Sequence, residues 1–116
     1  MSKLLTICLL SIWPIFKNPF KQDYRVIEVK SNSDLLVKKW ENAIFQLHGN
    51  KGTVIINDEI IECKIISVCD QFNNTSYYVK IGKKTQFSWI RKKKQYYLRY
   101  KRKADYLSLR LEEIEH

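Results

Sequence analysis

Eleven of the twenty-one Lys and Arg residues fall between Gln71 and Ala104, a stretch that contains no Asp or Glu. They are Lys80, Lys83, Lys84, Arg91, Lys92, Lys93, Lys94, Arg99, Lys101, Arg102 and Lys103. Elsewhere ten basic residues face twelve acidic ones, so the net charge of +9 belongs to this one stretch. Charge concentrated in this way suits a partner of opposite sign, such as lipid headgroups, a polyanionic glycan or an acidic protein. Tyr96, Tyr97 and Tyr100 lie among these cations. Cations for phosphates and rings for stacking on bases would also serve single-stranded nucleic acid. Alternation divides that arrangement. Tyr96, Leu98 and Tyr100 share one face of an extended chain, which leaves only Tyr97 with Arg99 and Lys101 on the other. Among possible partners the sequence therefore favours an anionic surface or partner, with nucleic acid as the alternative. Lysines on exposed hairpins also keep sheet edges from pairing with one another, and that is the bland account of the same residues.

Catalytic chemistry has little to build on. The chain has two histidines, and one of them is the last residue, His116. A Ser/His/Asp or Cys/His arrangement would have to use His48. Metal-ligand spacings, a phosphate-cradling glycine loop and a dinucleotide fingerprint are all missing from the sequence. His48 with Cys63 or Cys69 is the nearest approach to a metal set, without ligand spacing. Asp58, Glu59 and Glu62 are close together, with the first two at an expected turn. The expectation is a non-enzymatic protein without metal or cofactor. Cys63 and Cys69 lie six residues apart on one expected strand, about 20 Å when extended, which is too far for a disulfide. Both read as small core residues. Asn73 and Asn74 begin overlapping glycosylation sequons in an expected loop, where the plainer reading is a polar turn.

The N-terminus bears on the compartment. Lys3 is followed by an uncharged, largely apolar run from Leu4 to Phe16, closed by Lys17. This is the pattern of a secretory signal peptide and is shorter than the about 20 residues of a spanning helix. Residues 1–17 are thus expected to be a leader, cleaved or retained as a signal-anchor that contacts the membrane. Residues 18–23 would form a linker and 24–114 one β-rich domain. The protein would be secreted, periplasmic or membrane-anchored, or cytoplasmic if the leader is instead a first strand. Oligomeric state is not legible.

The elements that must hold the cations follow from a period of two. Tyr77, Val79 and Ile81 alternate with Ser76, Tyr78 and Lys80, and Phe87 and Trp89 with Gln86 and Ser88. Tyr96, Leu98 and Tyr100, then Leu107, Leu109 and Leu111, continue the pattern. Such runs, separated by short polar breaks, predict antiparallel strands joined by hairpins. Thr53 to Ile56 pairs with Glu59 to Cys69 across Asn57-Asp58. In the latter run Ile61, Cys63 and Ile65 share a face while Ile66 and Val68 take the other, which suggests a bulge near Ile65 or a strand changing layers. Residues 34–48 permit a helix capped by Ser33 or a strand through Ala43, Phe45 and Leu47; the strand continues the meander and is preferred. The fold class is all-β: a small antiparallel meander of six to seven strands, rolled into a sheet, small barrel or sandwich.

From Trp40-Glu41, through the turn Gly49-Asn50-Lys51-Gly52, Thr53-Val54-Ile55-Ile56 and Gly82-Lys83-Lys84, to Gln95-Tyr96-Tyr97-Leu98-Arg99-Tyr100, the order of features resembles small uncharacterised β-meander proteins of bacteria and their phages. The resemblance implies the meander and often an export signal. It implies no activity and no functional residue.

Overall fold

A computed structural model describes residues 19–83, 85–102 and 105–115. The leader (1–17) lies outside the described residues. Nine elements follow one another: β1 (Asp23–Ser31), α1 (Asp34–Trp40), β2 (Ile44–His48), β3 (Lys51–Ile56), β4 (Glu59–Cys69), β5 (Thr75–Ile81), β6 (Thr85–Lys92), β7 (Gln95–Arg102) and β8 (Asp105–Glu113). Each strand pairs antiparallel with the next, and β1 closes on β8 to make an eight-stranded barrel. Closure removes both sheet edges, so the bland role for the hairpin lysines, edge protection, has no edge to protect within this chain.

Alternation sets the two sides of the wall. Val79, Ile81, Phe87, Trp89, Leu98, Leu107, Leu109 and Leu111 point inward and are buried. They are joined by Tyr24, Val26, Phe45, Leu47, Val54, Ile56 and Cys63 from the first four strands. An eight-stranded barrel is just wide enough for side chains to fill. Here rings fill much of it. At one end Phe20, Tyr24, Trp89 and Tyr96 meet at centroid distances of 5.1 to 5.5 Å. Residues 19–22, in the stretch read as a linker, are tied to this end: Gly49 N–H donates to the Phe20 carbonyl, Leu47 N–H to the Gln22 carbonyl, and the Tyr24 hydroxyl to the Pro19 carbonyl. At the other end Trp40 stacks on Phe45 and meets Phe87 edge-on, with Phe87 against Tyr100. A barrel that spans lipid is apolar outside and polar within, whereas here the polarity is reversed. Among the described residues no helix is long and apolar enough to cross a membrane.

Three expectations change. There are eight strands, because β1 is a strand whose alternation the sequence hides: its register with β8 shifts between Val26 and Glu28, leaving Ile27 as the extra residue, so that the inward positions run Tyr24, Val26 and then Val29. Residues 34–48 are both readings in succession. Ser33 caps a seven-residue helix, its Oγ accepting from Leu36 N–H, and Asp34 and Lys38–Lys39 suit the helix dipole at either end. The helix stops after Trp40 because Asn42 takes a left-handed conformation (φ 62°), and β2 begins at Ile44. Finally, β4 keeps one register with β5 from Cys63–Ile81 to Cys69–Thr75, so no bulge lies near Ile65. Ile66 and Val68 are simply outer-wall residues of a long strand.

Candidate functional site

The outer wall is where charge collects, and register decides which charges meet. On β2 to β5 four positions face one another in turn: His48 opposite Lys51, Lys51 opposite Lys64, and Lys64 opposite Lys80. With Lys83 in the following turn, they line a groove of about 810 Å³ that Gln46, Thr53 and Glu62 also border. Its floor is bare backbone at Gly52, whose own inward side is filled: an added Cβ there would stand 2.6 Å from the Gln46 carbonyl oxygen and 2.9 Å from Leu47. The Thr53 hydroxyl donates to Gln46 Oε1 at 3.3 Å beside the row. Like charges directly opposite one another destabilise a sheet. This wall holds three such lysines in succession, with one carboxylate, Glu62, at its margin.

Two carboxylates of β1 and β8, Glu28 and Glu112, are engaged elsewhere. Arg25 pairs with Glu112 at 3.2 Å, and Glu28 lies 3.7 Å from both Lys30 and Arg110. None of these ion pairs uses a cation of the Gln71–Ala104 stretch.

That stretch is itself divided. Successive turns of a meander alternate between the two ends of the barrel, so Lys80 and Lys83 stand at the opposite end of β6 from Arg91, Lys92, Lys93 and Lys94. A strand of this length spans about 25 Å. Lys93 and Lys94 form a two-residue hairpin turn with φ of 52° and 64°. Both positions of such a turn need positive φ and normally carry Asn-Gly. Lysine there costs about 1 kcal/mol at each position. Arg91 sits at the rim over the Tyr96 ring, 6.0 Å from its centroid. Arg99 and Lys101 border a second outer hollow of about 460 Å³ with Lys30, Tyr106 and Ser108. Arg102 ends β7 opposite Asp105. Lys84 and Lys103 lie outside the described residues.

Tyr97, the outward ring of β7, is half-buried and occupied: Arg99 lies over it at 5.2 Å, and its hydroxyl donates to Gln95 Oε1. Tyr96 and Tyr100 pack against the core, as alternation requires. The residues weighed for a metal or nucleophilic set do not converge. His48 is exposed on the outer wall, while Cys63 is buried, and burial pushes its thiol up to about 11. Cys69, expected in the core, is exposed at the far end of β4, because that strand runs past the barrel's packed interior. Among the described residues no three His, Cys, Asp or Glu side chains are placed to share a metal ion. The Asn73–Asn74 loop is an exposed polar turn. Asp70 Oδ1 accepts from the backbone N–H of Phe72 and Asn74, which holds the Asp70 carboxyl below the usual carboxylate range.

Comparison with models of protein families, with curated proteins and with solved structures finds no match. The likeness to small β-meander proteins thus rests on the order of sequence features alone.

Sequence reasoning missed Lys51 and Lys64, and weighed His48 for catalysis or metal but not for this row. They lie outside the basic stretch and join Lys80 only through register.

Proposed function

We propose that this chain is a small exported, non-catalytic barrel that holds an anionic partner on its outer wall. The observation that carries this reading is the Lys93-Lys94 turn. Two lysines occupy left-handed positions where Asn and Gly would cost less, at the tip of a hairpin already flanked by Arg91 and Lys92. Backbone strain of this kind gathers where a residue's chemistry matters more than its fit. Export is supported by the Lys3 and Leu4–Phe16 pattern. The inward rings of β6 and β7 weigh against base stacking, so nucleic acid is the less favoured partner.

The test is association of the full chain with vesicles containing phosphatidylglycerol and with a sulfated glycan matrix, at low and high salt. The variant is Lys92→Glu/Lys93→Glu/Lys94→Glu. Weaker, salt-sensitive association of the variant is expected. Equal association of variant and native chain at low salt would reject a role for the hairpin tip. For export, fractionation with intact-mass measurement should find a species about 15 to 25 residues shorter or a membrane-bound full chain. A full-length cytosolic species would reject it.

A further inference from the structure

We infer that the groove across β2 to β5 is a binding site for a linear polyanion, a chain bearing repeated phosphate groups, distinct from the hairpin tip. The inference rests on the anion-binding reading above and gives it a second, better-defined site.

Three observations converge on it. The first is register: His48, Lys51, Lys64 and Lys80 come from four adjacent strands and face one another in a row. Inter-strand steps of about 4.8 Å set the ends of that row about 14 Å apart. A single phosphate is much shorter than that row, whereas a chain of them can run its whole length. The second is shape. The cations border a groove of about 810 Å³ whose floor is backbone at Gly52, so a strand-like ligand can settle between the side chains. A membrane plane suits a protruding tip such as Lys92–Lys94 and fits a recess poorly. The third is cost. Lysines opposite lysines repel, and the described ion pairs of the barrel leave this row alone. Gln46 and Thr53 add an amide and a hydroxyl at the same wall. Among the described residues the His48 imidazole is the one ring in the groove's lining, and a stacking platform needs several, so the ligand is recognised through its phosphates and not through bases.

The experiment titrates the full chain with inorganic polyphosphate over a salt series. Three proteins are compared: the native chain, Lys51→Gln/Lys64→Gln, and Lys92→Glu/Lys93→Glu/Lys94→Glu. The groove variant should lose affinity by about tenfold or more at low salt. The slope of log affinity against log salt should fall by about one for each lysine removed. Because the groove variant also removes a repulsion, its melting temperature should equal or exceed that of the native chain, which separates lost binding from lost fold. Unchanged polyphosphate binding in the groove variant, with loss in the tip variant, would overturn the groove and leave the wider reading standing. No binding by any of the three at low salt would overturn both. Two further results also refute the inference: phosphatidylglycerol vesicles that depend on Lys51 and Lys64 and are not displaced by polyphosphate, or single-stranded oligonucleotide binding more tightly than polyphosphate of equal charge and weakened by Lys51→Gln/Lys64→Gln.

Discussion

Lys64 and Lys80 stand directly opposite each other on the outer faces of β4 and β5, and Lys64 also faces Lys51 on β3. A sheet selected for stability alone would place a carboxylate at the middle position. Lys64→Glu should therefore raise the unfolding free energy by about 0.5–1 kcal/mol at low ionic strength. The gain should shrink as salt screens the row. Urea unfolding at two salt concentrations checks both the sign and the screening.

The β6–β7 turn makes a parallel prediction. Lys93→Asn/Lys94→Gly gives the turn the residues its positive φ values favour, and should stabilise the chain by about 1–2 kcal/mol. The same change should weaken association with phosphatidylglycerol vesicles. A stabilised variant that binds vesicles as the native chain does would mean that the strained lysines serve no partner.

Two glycines should respond differently to the same substitution. At Gly52 a methyl group would meet the Gln46 carbonyl at 2.6 Å and the Cys63 sulfur at 3.2 Å, so the β2–β3–β4 wall must part to admit it. A loss of about 1–3 kcal/mol is expected for Gly52→Ala. At Gly49 there is open space, and only the φ of +73° opposes a side chain, so Gly49→Ala should cost about 1 kcal/mol. Chemical denaturation of the two variants, side by side, distinguishes a steric from a conformational penalty.

Cys63 links burial to pH. Its thiol ionises near 9.0 in the ordinary state and is pushed up to about 11 by burial. Between these values the unfolded chain releases the proton and the folded chain retains it. The stability that Cys63 contributes is thus full below about pH 9 and declines as pH rises toward about 11. Subtracting the pH profile of Cys63→Ala isolates this effect from lysine titration. A difference that stays flat from pH 8 to 11 would contradict it. In the native chain at pH 8, a thiol reagent should reach Cys63 only through unfolding.

How much of this could be read in the sequence depends on period and register. Strands β5 to β8 were legible because their inward residues recur every second position without interruption, from Tyr77 to Leu111. β1 was not, because the shift after Val26 changes the parity of its inward residues, from Tyr24 and Val26 to Val29, so no period of two runs through it. Residues 34–48 read as ambiguous because a seven-residue helix and a five-residue strand each satisfy half of one window. The basic stretch announced itself by composition. The groove did not, since its cations arrive one per strand. The Asn57-Asp58 turn already places Lys51 opposite Lys64, but Lys80 joins them only when the Asp70–Asn74 loop fixes how β5 returns along β4.

The most direct measurement is lysine reactivity, read residue by residue by mass spectrometry, on the full chain with and without polyphosphate. Protection of Lys51, Lys64, Lys80 and Lys83, with Lys38 and Lys39 of α1 labelled as before, is the predicted result. Equal labelling of groove and helix lysines, in the presence of bound polyphosphate, would contradict the claim that this wall of the barrel is built to hold an anionic chain.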